Sequence, residues 1–108
     1  MKASVYDIIQ SELAIFHDEG LQVFELLSSS ISKGEKAEVS FEKIDRCSTQ
    51  FLNAAIGKLY LLNDPNLIDN LLVIDYTSYT DLKDKVEEVR NNAIHSKDYD
   101  LLVENATA

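Results

Sequence analysis

Residues Ala37 to Leu62, AEVSFEKIDRCSTQFLNAAIGKLYLL, change their hydrophobic period partway along. Ala37, Val39 and Phe41 alternate with Glu38, Ser40 and Glu42, the period of a half-buried strand. Past the Ser48-Thr49 pair, Phe51, Leu52, Ala55, Ile56, Leu59 and Tyr60 recur at helical spacing and form a wide apolar stripe. The segment therefore predicts a strand ending near Phe41, a turn plugged into the core by Ile44, and a helix from about Thr49 to Leu62. Ala54 and Gly57 leave room on that helix for close packing. A hydroxyl at its start can accept a hydrogen bond from a backbone N–H two or three residues on. Nothing else in the chain concentrates polar chemistry so tightly, and the functional reading centres on this turn.

The flanking patterns set the rest of the fold. Val5, Tyr6, Ile8 and Ile9 predict a first strand over Ala3 to Ile9 that continues raggedly toward Ile15 and Phe16. Leu21, Phe24, Leu27 and Ile31 recur at spacings of three and four and predict a helix from about Asp18 to Ser32, closed by Lys33-Gly34. Asn63-Asp64-Pro65-Asn66 stops the second helix, because proline cannot continue the hydrogen-bond ladder. The nearly continuous apolar run of Asn70 to Tyr76, with LLVI at its centre, predicts an inner parallel strand and the best-buried one. Thr77, Ser78 and Thr80 offer caps for a third helix, in which Leu82, Val86, Val89, Ala93 and Ile94 face the sheet and Asp81 pairs with Lys85. After His95 the pattern weakens, leaving Tyr99, Leu101, Leu102 and Val103 for one last amphipathic turn.

Strands alternating with helices imply an α/β fold in which helices pack on a mainly parallel or mixed sheet, joined by right-handed crossovers. A length of 108 residues fits one domain, spanning 1–108 with a core at about 3–96 and a C-terminal tail at 97–108.

Charge and residue counts exclude several function classes. The formal net charge is −9 and the acids are dispersed, while the basic approach of Lys33 with Lys36 is interrupted by Gly34 and Glu35. Such a surface repels phosphate backbones and anionic lipid, so nucleic-acid and membrane partners are not expected. Asp7, Gln10, Ser11 and Glu12 break any signal-peptide core, and a lone cysteine, Cys47, forms no internal disulfide, so a cytoplasmic home is expected. Cys47, His17 and His95 match no metal-ligand or nucleophile spacing, and no glycine-rich phosphate loop follows a predicted strand. No catalytic residue, metal or cofactor is expected, and Cys47 reads as a small buried hydrophobe. Tyr76 and Tyr79 could edge a small-molecule pocket at the end of the third strand, although such tyrosines more commonly straddle core and water.

The run GEKAEVSFEKIDRCSTQFLNAAIGKLY resembles the central motif of the STAS-like domain family. The residues that carry the likeness are Gly34, Val39, Phe41, Ile44, Ser48, Thr49, Phe51, Leu52, Ala54, Ala55, Gly57 and Leu59, and it extends from His17-Asp18-Glu19-Gly20 to the LLVI strand. That family is similar in turn to the STAS domains of anti-sigma factor antagonists, small cytoplasmic partner-switching proteins. In those, a kinase phosphorylates a Ser or Thr at the start of a helix. The resemblance implies that Ser48, with Thr49 as second candidate, is the phosphoacceptor. It further implies that Asp45, Arg46, Gln50 and Asn53 contact a partner, an ATPase-type, histidine-kinase-like Ser/Thr protein kinase. Cys47 stands where the antagonists carry Asp, and Gln50 where Gly commonly follows the hydroxyls.

The reading that follows is a non-enzymatic regulatory protein-protein interaction module of STAS-like type, controlled by Ser/Thr phosphorylation. An alternative is a small acidic immunity- or antitoxin-like inhibitor that masks a basic partner through steered association. A third is a ligand-binding subunit of a larger complex.

Overall fold

A computed structural model describes residues 1–76 and 81–107, with side chains as far as residue 96. Strand β1, Lys2–Ser4, leads directly into helix α1, Val5–Ile9, and a two-residue strand β2, Leu13–Ala14, precedes helix α2, His17–Ser32. Strands β3, Ala37–Ser40, and β4, Arg46–Cys47, come next. A helical run then passes from α3, Thr49–Leu52, through a π-helical stretch, Asn53–Gly57, into α4, Lys58–Leu62. Helix α5, Pro65–Leu71, strand β5, Leu72–Asp75, and helix α6, Leu82–Thr107, complete the order.

Among the described residues every strand pairing is parallel. One sheet has the order β1-β3-β5, with Ala3 opposite Val39 and Val39 opposite Ile74; the second pairs β2 with β4, Leu13 opposite Arg46 and Ala14 opposite Cys47. The α/β class expected from the alternating pattern is what the chain adopts. Ala37 and Val39 bury their side chains on one face of β3, while Lys2, Glu38, Val73 and Asp75 occupy the opposite face.

Several expectations are corrected. Ala3 to Ile9 is not one strand, because Ser4 accepts a hydrogen bond from the Asp7 N–H and starts a helix in which Val5, Ile8 and Ile9 stand at i, i+3 and i+4. Gln10, at φ 54°, closes it. The LLVI strand is neither inner nor best buried: β3 is central, β5 lies at an edge, and Val73 is 43% exposed. Part of that apolar run belongs to α5, and the remainder alternates inward and outward. Asp64 and Pro65 end one helix and begin another, since the Asp64 carboxylate caps the Asn66 N–H and proline occupies the first turn.

Helix α6 packs chiefly on the 49–62 run and not on the sheet as expected, burying Leu82, Val86, Val89 and Ala93 there. That run lies between α2 and α6, and four successive residues, Ala54, Ala55, Ile56 and Gly57, are buried. A helix covered on only one side exposes part of every turn, so four buried residues in succession reflect cover from both α2 and α6. The proposed caps Thr77, Ser78 and Thr80, and Tyr79 with them, lie outside the described residues. Lys85 gives its ammonium to the Cys47 carbonyl at 3.2 Å. Backbone helix continues to Thr107 where a weak final turn was expected.

Candidate functional site

The β2–β4 ladder is short but is held at both ends. The Glu12 carbonyl accepts from the Asp45 and Arg46 N–H groups at 2.8 and 3.3 Å, and the Ala14 carbonyl accepts from Ser48 at 2.9 Å. Both strands then turn into helices, β2 through Phe16 into α2 and β4 through Ser48 into α3. The two helices cross closely: a Cβ added to Gly20 would lie 2.5 Å from the Phe51 carbonyl oxygen and 2.8 Å from the Ala54 Cβ. Two helix N-termini, each the positive end of its backbone dipole, therefore open side by side.

Ser48 sits between them with its hydroxyl fully engaged. Oγ accepts from the Phe51 N–H at 3.0 Å, the capping bond expected from the sequence, and donates to the Ile15 carbonyl at 2.6 Å. The second bond ties the start of one helix to the segment entering the other. Ser48 is half-buried, whereas Thr49 is exposed. Asp45, Arg46, Gln50 and Asn53 are exposed as well; Arg46 lines the same hollow as Ser48, whereas Asn53 lines a separate one with Gly57, Leu61 and Asn92, toward α6.

Sequence reasoning missed three neighbours. Phe16 is 66% exposed and Leu13 43% exposed, both on the β2 side of the ladder. Lys85 enters from α6 against the Cys47 carbonyl. Phe16 was legible only as part of a supposed strand, and its exposure follows from its place just ahead of α2, where neither helix covers it.

Cys47 is buried, and burial pushes its thiol up to about 12, with the Lys85 charge opposing part of that rise. A thiol so shifted is almost wholly protonated near neutral pH and is a poor nucleophile. His17 is exposed, with Nδ1 3.9 Å from the Asp18 carboxylate. One oxygen of Glu19, in the first turn of α2, is buried with no hydrogen-bond partner. Among the described residues, no group of three or more His, Cys, Asp or Glu is placed to hold a metal ion. Among the same residues, no helix is long and apolar enough to cross a membrane.

Parallel strands backed by helices, with a hydroxyl-capped helix start at the rim of a parallel ladder, define a STAS-like α/β domain. The model of the STAS-like domain of unknown function (DUF4325) matches residues 19–81, more than half of the chain, and the chain belongs to that family. The match takes in α2 from Glu19 onward, the capped turn and β5. It leaves out β2, which leads into the Ile15 carbonyl, and α6, which supplies Lys85. No curated protein and no solved structure matches the chain. A STAS-like domain of this kind fits a regulatory interaction module.

Proposed function

We propose that the chain is a regulatory protein-binding module without enzymatic activity, acting in the cytoplasm. It docks its partner through Asp45, Arg46, Thr49, Gln50 and Asn53, and phosphorylation at Ser48 or Thr49 controls the docking. The partner is an ATPase-type protein kinase, as the family resemblance implies. The observation that carries this reading is the composition of the surface: exposed polar residues around the turn stand with two exposed apolar residues, Leu13 opposite Arg46 in the ladder and Phe16 next in the chain to the Ile15 that Ser48 bonds. Apolar area rimmed by polar groups is the usual make-up of a protein-binding surface.

The two hydroxyls would respond differently to a phosphate. A phosphoester on Ser48 has no proton to give the Ile15 carbonyl, so modification there breaks the bond between the two helix starts. On exposed Thr49 the same group adds nearly two negative charges to the face and leaves that bond in place. The test is phosphopeptide mapping of the chain recovered from its native cell, paired with partner capture by Thr49→Glu and Thr49→Ala and by the same changes at Ser48. A switch at Thr49 gives opposite effects of Glu and Ala there; at Ser48 both changes break the bond to Ile15, so a switch there shows as a loss with Glu beyond the loss with Ala. Equal capture by all four variants, with no phosphate at either residue, removes the switch.

A further inference from the structure

One hollow on this face runs against the charge of the molecule as a whole. It measures about 340 Å³ and is lined by Ile15, Arg46, Cys47, Ser48 and Lys85. Two of these side chains are cations and none is acidic, in a chain of formal net charge −9. Arg46 stands opposite Leu13 across the β2–β4 ladder, so an exposed guanidinium and an exposed apolar side chain lie next to each other. Lys85 is held beside β4 by its bond to the Cys47 carbonyl. Asp45 precedes Arg46, and Asp81 lies one turn before Lys85; both are exposed and neither lines the hollow.

We propose that this hollow seats an acidic side chain of the protein partner, an Asp or Glu carboxylate flanked by an apolar residue that packs on Leu13 and Phe16. The proposal rests on the reading of this face as a docking surface and adds the chemistry of what docks. A guanidinium takes a carboxylate through two parallel N–H donors, and the ammonium supplies a second positive charge. A local field opposite in sign to the surrounding surface directs an acidic group to this spot. The acidic remainder of the surface repels extended polyanions, so a single carboxylate on an otherwise apolar segment fits better than a nucleic acid. Ser48 lines the same hollow, so a phosphate on its hydroxyl competes with the partner's carboxylate for the same two cations.

The experiment is an NMR titration of the ¹⁵N-labelled chain with a blocked peptide of alternating leucine and glutamate, with its leucine-glutamine counterpart, and with inorganic phosphate. The glutamate peptide is expected to shift the amides of Arg46, Cys47, Ser48 and Lys85. The glutamine peptide is expected to bind several-fold more weakly, and Arg46→Gln to weaken the glutamate peptide by about fivefold or more. Arg46 is exposed, so this variant leaves the core intact, while Lys85→Gln provides a second arm that also removes the bond to Cys47. Equal binding of the two peptides, shifts remote from the hollow, or no shift at all overturns the proposal. Shifts with phosphate but not with the glutamate peptide assign the hollow to a free anion and overturn it as well. No arm uses a modified serine or the native partner, so failure of the phosphorylation control leaves the titration unchanged. The docking reading fails separately if Phe16→Ser captures the native partner as well as wild type does.

Discussion

Ser48 Oγ donates to the Ile15 carbonyl at 2.6 Å while it accepts from the Phe51 N–H at 3.0 Å, so one hydroxyl joins the starts of two helices. Ser48→Ala removes both bonds and strands a part-buried carbonyl and an N–H. A lost cap plus an unpaired polar group costs about 1–3 kcal/mol. Ser48→Thr keeps the hydroxyl and is expected to recover most of that loss. Urea denaturation of the two variants against wild type measures it, and an alanine variant as stable as wild type would show that the hydroxyl does not hold the two helix starts together.

Gly20 has a different role from the other glycines. A Cβ there meets backbone, the Phe51 carbonyl oxygen at 2.5 Å, which cannot move without displacing the 49–62 run. At Gly57 the nearest atom is the Val89 Cγ1 at 3.1 Å, the end of a side chain. Alanine gains up to about 1 kcal/mol of helix propensity at either position. At Gly20 the clash outweighs that gain, with an expected net loss of about 1–3 kcal/mol, whereas Gly57→Ala is expected to change stability less. Thermal unfolding of the two variants side by side tests the order, and a Gly20→Ala melting point equal to or above that of wild type would contradict the close crossing.

The parts of this fold legible in the sequence were those where one local signal had no competitor. Leu21, Phe24, Leu27 and Ile31 made a single stripe, and α2 runs from His17 to Ser32 beside the expected span of Asp18 to Ser32. Ser48 was identifiable as a cap because a hydroxyl stood directly ahead of an apolar stripe, and it caps. Legibility failed where two signals overlapped. Val5, Ile8 and Ile9 suit a ragged strand or one helical turn, and the choice fell to the Ser4 cap. The LLVI run looked like an inner strand because burial on both faces and the junction of a helix with a strand both give unbroken apolar sequence. The site was half visible: its polar residues lie together in one segment, but Leu13, Phe16 and Lys85 reach it from elements far apart in the chain, and no local pattern announces such a meeting.

Tyr60, Asp69 and Arg90 tie α4, α5 and α6 together away from the docking face. The Tyr60 hydroxyl donates to Asp69 Oδ1 at 2.6 Å, and Arg90 grips both carboxylate oxygens, Nε to Oδ1 at 3.0 Å and Nη2 to Oδ2 at 2.6 Å. The Arg90 hydrogen bonds hold the Asp69 carboxyl below its usual range, with a smaller effect from Tyr60 and an opposing one from burial. A carboxylate with a depressed folded pKa stabilises above its unfolded value, near 3.9, and that contribution is lost as pH falls through the folded value. The Asp69 side chain is 40% exposed, so solvent screens the pair and the effect is modest. Tyr60 is shifted upward by burial and then by Asp69, so its contribution is complete below about pH 10 and is lost as the phenol ionises above that. Denaturation midpoints followed on the acid side of about pH 4 are expected to fall less steeply in Asp69→Asn than in wild type, and those above about pH 10 less steeply in Tyr60→Phe. Identical pH profiles for variants and wild type would detach these shifts from stability.

Cys47 offers a direct readout of whether the β2–β4 ladder opens. Burial pushes its thiol up to about 12, while an ordinary cysteine titrates near 8.5. At pH 8 the native thiolate fraction is therefore lower by about three orders of magnitude, and burial blocks access in addition. Alkylation by iodoacetamide is expected to run at least about a thousandfold slower in the native chain than in urea, rising with denaturant in step with the unfolding curve. Ser48→Ala removes the bond to Ile15 next to this thiol, so it is expected to raise the native labelling rate at denaturant concentrations where wild type stays protected. Labelling of native wild type at the rate of a free thiol would mean that the ladder is open in solution. In that case the hollow beside Arg46 and Lys85 would not keep the shape on which the docking proposal depends.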